Sequence, residues 1–231
     1  MRAPGQPPVQ LPFSDKYDHS HATAYFEKHR DGLARRLSHA RDEQLARKAL
    51  HLASDPTLVL DLPSGAGRFW PLLAEQPNRV ILAADNSADM LAVARSSQAP
   101  EVSSRVKTFQ TSAFDIKLPD QAVDCIFCMR LLHHIGESAH RLTMLREFHR
   151  VTRDTVIVSL WVDGNYKAWK RARLERVRDL GTRRGIQNRF VIPARQIEKE
   201  FDTAGFDILG HFDFLPLYAM WRVYVLRRVG K

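Results

Sequence analysis

Short apolar runs alternate with amphipathic stretches through the middle of the chain. Leu58-Val59-Leu60, residues 80–84, Val123–Cys128 and residues 155–161 are brief and largely apolar and read as strands, with Val106–Gln110 as a further strand among them. Between them the spacing turns helical. Phe69-Trp70-Pro71-Leu72-Leu73 opens one helix, and Ser87 is a candidate N-cap for another running through Met90, Leu91 and Val93. Residues 140–151 place Leu142, Leu145 and Phe148 on one side of a third. Alternation of strand and helix over 57–161 predicts parallel strands with helices on both faces. Two further helices are expected, a basic one over 165–185 and one over 193–204 that stops at Ala204-Gly205. The apolar runs 206–215 and 218–228 would then pair as an antiparallel hairpin, giving a seven-stranded, mostly parallel sheet. Ahead of this core, residues 20–52 read as helix, with a break near Asp31-Gly32, and Pro-rich residues 1–16 as an irregular lead-in.

Composition narrows this picture. A chain of 231 residues, 44% hydrophobic and 26% charged, suits one globular α/β domain spanning 17–231. No apolar run approaches the roughly 20 residues of a membrane span. The start, Met1-Arg2-Ala3-Pro4, lacks the apolar stretch of a secretory signal. Cys125 and Cys128 lie three apart on one expected strand and so face opposite sides of it. That excludes a shared disulfide or metal, and reduced thiols fit a cytoplasmic protein. The formal net charge of +9 favours anionic partners without choosing among nucleic acid, lipid headgroups and phosphorylated small molecules.

The candidate chemistry sits in the turn Asp61-Leu62-Pro63-Ser64-Gly65-Ala66-Gly67 between the first strand and its helix. Glycines there let backbone approach a ligand closely, and the helix start offers free N–H groups. Asp85 ends the second strand, where a carboxylate can accept both hydroxyls of a ribose. A dinucleotide fingerprint needs a third glycine, but Trp70 stands at that position. Asp61 would repel a pyrophosphate and attract an ammonium group. Charge logic therefore favours S-adenosylmethionine, which carries an ammonium, a sulfonium and a ribose but no phosphate, over a nicotinamide cofactor.

Four segments in order resemble the motifs of class I S-adenosylmethionine-dependent methyltransferases: residues 59–68, 84–91, 118–128 and 129–135. The resemblance implies a Rossmann-like fold and a set of roles. Ser64, Gly65 and Gly67 would pass beneath the cofactor, with Asp61 near its ammonium group and Arg130 near its methionyl end. Asp85 and Asn86 would meet the ribose, and Met90, Ser112, Ala113 and Phe114 the adenine. Tyr17 and Tyr25 fall where the family has an N-terminal segment closing over the site. Two positions depart from the pattern. Pro63 replaces a usual glycine and removes an N–H, and Ser112 replaces an aspartate that meets the adenine amino group.

The acceptor is less legible. His133 and His134 follow the fourth strand, at the edge where such sheets bind ligands, and one of them could serve as a base. The alternative is a histidine pair bonding to nearby backbone. Between Lys167 and Arg195 ten Lys and Arg face two acidic residues, Glu175 and Asp179. The family resemblance implies that this segment, with Tyr17, Trp161, Tyr166, Trp169 and Arg189, lines the acceptor pocket. The expected acceptor is an anionic small molecule, glycan or lipid headgroup, the last implying contact with a membrane surface. An RNA acceptor is the alternative within the enzyme class. It is disfavoured because Cys128-Met129-Arg130-Leu131 stands where base-amino methyltransferases carry Asn/Asp-Pro-Pro-aromatic. A binding module that kept the fold and lost catalysis is the alternative outside it.

Overall fold

A computed structural model describes residues 33–179 and 188–230. Residues 1–32, including Tyr17 and Tyr25, and residues 180–187 lie outside the described residues, so the expectations placed on them stand as sequence readings.

The described residues open on α1 (Leu33–Leu52), and β1 (Leu58–Asp61) leads into the short helix α2 (Trp70–Leu73). Then come β2 (Val80–Asp85), α3 (Ala88–Ser97), α4 (Pro100–Ser103), β3 (Val106–Gln110) and β4 (Val123–Cys128). A single 3₁₀ turn at Leu132–His134 precedes α5 (Ser138–Val151), which runs directly into β5 (Thr152–Trp161). The chain closes with α6 (Tyr166–Asp179), α7 (Ala194–Thr203), β6 (Phe206–Asp213) and β7 (Trp221–Arg228).

The sheet has seven strands in the order β3-β2-β1-β4-β5-β7-β6. Strands β1 to β5 pair in parallel, and β7 lies antiparallel between β5 and β6. The order reverses between β1 and β4. In such sheets the crevice at the carboxyl ends of the two central strands is the ligand site. That places the turn after β1 and the segment after β4 side by side.

Each face of the sheet buries its own core. One holds α1 and α2 against Val59, Ile81, Phe127 and Val225. The other packs α5 and α7 against Leu60, Ile126, Val158 and Tyr224. Cys125 belongs to the first core and Cys128 to the second, so strand alternation does separate them. Both are free and fully buried, and burial pushes the Cys125 thiol up to about 12. Among the described residues no His, Cys, Asp and Glu cluster is arranged to hold a metal. Nor is any described helix long and apolar enough to cross a membrane.

The α5–α7 face is pinned by a buried ion pair. Arg141 donates to Glu200 Oε2 at 2.7 Å and Oε1 at 2.6 Å, and to the carbonyls of Ile135 and Gly136 at 2.9 and 2.8 Å. Ser138 adds a hydroxyl to Glu200 at 2.7 Å. Burial opposes ionisation of Glu200, yet these bonds hold its carboxyl below the usual range. The pair thus fixes the segment after β4 to the helix before β6.

Candidate cofactor and acceptor site

The turn after β1 is tight because two glycines take the left-handed backbone region, Gly65 at φ +54° and Gly67 at φ +71°. A Cβ on Gly67 would stand 2.9 Å from the Trp70 ring and 3.2 Å from the Ala94 Cβ, so no larger residue fits. Trp70 therefore occupies the space that a third glycine leaves open in dinucleotide sites. It is fully buried, and its indole N–H donates to Ser64 Oγ at 2.8 Å. The turn is folded around this bond.

Asp85 joins the turn to the end of β2. One carboxylate oxygen accepts the Gly65 N–H at 2.8 Å and the other the Ser87 N–H at 3.0 Å. Ser87 in turn caps α3, its hydroxyl accepting the Met90 N–H at 3.3 Å. The acid thus orders both segments that would flank a ribose, and its buried position raises its pKa. Asn86 lies exposed beside it. Met90 is buried, and its methyl group lies 3.5 Å from where a Gly65 Cβ would be. After β3, beside the end of β2, Ser112 Oγ accepts the Phe114 N–H at 3.2 Å, which holds Ala113 and Phe114 in a compact turn.

Asp61 gives the test of cofactor fit. It is buried, and its Oδ2 has no hydrogen-bond partner among the described residues. Burial, opposed by bonds from Ser64 and Trp70 and reinforced by Asp85, raises its pKa to about 8. An unpaired buried carboxylate is costly until a cation reaches it. A ligand with an ammonium group above the glycine turn supplies that cation, whereas a phosphate does not. The residues present fit S-adenosylmethionine.

Arg130 has a left-handed backbone at φ +65°, and its N–H donates to Ser159 Oγ at 2.8 Å. That conformation is uncommon outside glycine. Its guanidinium bonds to Asp42 of α1, and Asp42 also accepts from Arg68 of the glycine turn at 2.6 Å. Arg68 donates further to His39 Nδ1 at 3.1 Å. Sequence reasoning missed this cluster because Asp42 lies in a helix where charges of both signs follow one another without pattern.

The two histidines part company. His134 is half-buried, and its Nδ1 lies 2.6 Å from the Asn188 carbonyl. His133 is buried in an aromatic cage, its ring 5.1 Å from Trp161 and 4.7 Å from Trp221. Burial, then the charges of His134, Arg189 and Arg130, drive its pKa down to about 2. His133 Nδ1 and Trp161 Nε1 are both buried and lack a hydrogen-bond partner among the described residues. Three guanidiniums border this cage. Arg130 lies 4.8 Å from the Trp221 ring centre, and Arg171 and Arg189 lie 5.2 and 5.7 Å from that of Trp161.

A loop closes the cage. The Phe190 N–H donates to the His133 carbonyl at 2.7 Å and the Ile192 N–H to the Trp161 carbonyl at 2.9 Å. The Phe190 ring fills the space beside Gly136, where a Cβ would come within 2.8 Å of it. This loop carries Arg189 to Trp161. Tyr166 and Trp169 instead line a cavity of about 640 Å³ with Phe190 and Leu217. Arg171 belongs to both that cavity and the cage. The structure thus brings together the sequence-named His133 and Arg189 with Trp161, and sets Tyr166 and Trp169 farther out.

Residues 59–155 match a family model described as "Methyltransferase domain". A search of curated proteins gave no match. Among solved structures, magnesium protoporphyrin IX methyltransferase (ChlM) from Synechocystis PCC 6803 with bound SAH is similar, at TM-score 0.72 and 17% identity over 93% of this chain and 97% of that one. TnmH is similar at TM-score 0.69 and 19% identity, over 95% of this chain and 62% of its own. The [4+2]-cyclase SpnF follows at TM-score 0.62 and 18% identity, over 81% of each chain. At such identities the likeness is one of fold, and the cyclase shows that this fold serves more than one reaction. The segment that matches the methyltransferase-domain model contains the glycine turn, Asp85 and the two histidines after β4, and the chain as a whole has the fold of the solved methyltransferase structures it is similar to.

Proposed function

We propose that the chain transfers the methyl group of S-adenosylmethionine to a small anionic acceptor seated against His133, Trp161 and Trp221. The cofactor's sulfonium supplies an electrophilic methyl group. Asp61 would hold its ammonium group, Asp85 and Asn86 its ribose, and Met90, Ser112, Ala113 and Phe114 its adenine. Arg130 would stand beside its methionyl end.

Methyl transfer is an in-line displacement, and most of the barrier is lowered by holding the nucleophile about 3–3.5 Å from the methyl carbon. The observation that carries the acceptor reading is the cage itself. Two buried polar atoms there, His133 Nδ1 and Trp161 Nε1, lack partners among the described residues, and arginines border the rings. Trp161 Nε1 can donate a hydrogen bond to an acceptor oxygen. His133 can donate or accept, depending on its tautomer. A general base works best with a pKa near the working pH, and His133, driven to about 2, is far from it. The reading therefore assigns His133 to positioning. The nucleophile arrives already ionised, as a carboxylate or acidic phenolate, steadied by Arg171 and Arg189. His134 would hold the 188–192 loop over it.

Transfer of labelled methyl to paired acidic and neutral aromatic acceptors tests this. Acidic members should be methylated in preference. Arg189→Ala should raise KM for them about tenfold, with a smaller effect on kcat. Equal turnover of neutral isosteres by the wild type and the variant would contradict the anionic acceptor.

A further inference from the structure

The outer side of α6 carries side chains that a helix in water has no reason to display. Tyr166 is 49% exposed, Trp169 58% and Leu174 55%, while Ala168 turns inward and is buried. The connection between β6 and β7 extends the same surface with Leu217, 82% exposed, and Tyr218, 47% exposed. These two segments form one unit. The Tyr166 and Lys167 N–H groups donate to the carbonyls of Leu217 and Tyr218 at 2.9 and 3.0 Å, and the Tyr166 and Tyr218 rings stack at 5.7 Å.

Cations are interleaved with these apolar groups. Lys167 lies 5.2 Å from the Tyr218 ring centre and Arg173 5.8 Å from that of Trp169, and Lys170 is exposed on the same helix. Among the described side chains of α6 the one carboxylate, Glu175, is bonded to Arg171 at 2.8 Å. A contiguous exposed apolar patch marks an interaction site. Which partner fits follows from the mixture. Tyr and Trp favour the headgroup level of a bilayer, aliphatic tips reach the acyl boundary, and Lys and Arg are drawn to anionic lipid. A protein partner's apolar groove would leave the cations uncompensated.

We propose that α6 and the β6–β7 connection dock on the surface of an anionic bilayer. The patch borders the 640 Å³ cavity through Tyr166, Trp169 and Leu217, so docking turns that cavity toward the membrane. The proposal does not depend on the acceptor's identity.

Sedimentation of the full chain with phosphatidylcholine vesicles, with and without phosphatidylglycerol, tests it. The chain should pellet with the anionic vesicles and remain in solution with the neutral ones. K170E with R173E should weaken binding by roughly tenfold or more. K107E, a charge reversal on the β3 edge, should leave it unchanged. Trp169→Leu should remove a blue shift of tryptophan fluorescence on vesicle addition. Equal pelleting with neutral vesicles, wild-type binding by the double variant, or no pelleting at all would overturn it. So would self-association that Trp169→Leu abolishes in a protein that ignores vesicles, since the patch would then serve a second copy of the chain. Calorimetry with S-adenosylmethionine on the same variants should show unchanged cofactor binding, which separates this surface from the cofactor site.

Discussion

Asp61 is the residue on which the proposed cofactor contact turns. With a pKa raised to about 8 by burial, it is mostly protonated at pH 7 in the free protein. An arriving ammonium group reverses that balance. Binding of S-adenosylmethionine at pH 7 should release close to one proton, seen by calorimetry in buffers of different ionisation enthalpy, and Asp61→Asn should abolish that release. Stability carries the same sign. A raised acid pKa contributes fully below the unfolded value near 4, and that contribution is lost as pH rises toward 8. The cofactor-free chain should therefore lose stability over that window, with a flatter profile for Asp61→Asn. Asp85 acts through geometry as well as charge. Asp85→Ala removes the carboxylate that bonds Gly65 and Ser87, and should weaken cofactor binding ten- to a hundredfold. Asp120→Ala, which removes an exposed partner of Arg150, should leave binding unchanged. Comparable losses would misplace the ribose site.

At the level of elements, the sheet was legible because most of its strands are short apolar runs, β1 and β2 each ending on an aspartate. β2 to Asp85, the Ser87 cap and the C-terminal hairpin all follow from that pattern. Boundaries shifted where periodicity says little. β5 begins at Thr152 rather than 155 because α5 passes into it without a turn, and α2 keeps four residues where the sequence suggested a longer helix. Contacts between distant segments were not legible. Nothing in the spacing pairs Arg141 with Glu200, since the two meet only when α5 and α7 share one face of the sheet. Removing one partner leaves a buried charge, so Arg141→Ala should cost about 3–5 kcal/mol in chemical unfolding. Arg141→Ala combined with Glu200→Ala should cost less than the sum of the singles. In the same way, His133 was singled out in the sequence as a candidate but its aromatic cage was not legible, because Trp221 reaches it from a strand 88 positions on.

For the molecule as a whole, the topology gathers distant segments at one edge of the sheet. Asp42 of α1, Arg68 of the glycine turn and Arg130 after β4 form a single cluster, and Arg130 continues to Trp221 and the cage. Cofactor and acceptor readings thus meet at one arginine. The net charge of +9, known from composition, acquires a location in the guanidiniums around Trp161 and the outer side of α6. If an anionic acceptor binds there, its affinity should fall as salt rises, while cofactor binding, which we propose rests on the buried Asp61 and Asp85, should change little. The most direct test of the account is calorimetric titration of the purified chain with S-adenosylmethionine and, in parallel, with NADH. The account predicts saturable one-to-one binding of S-adenosylmethionine, weakened strongly by Asp85→Ala, and no heat with NADH. Binding of NADH, or no heat with S-adenosylmethionine or its demethylated product, would contradict it.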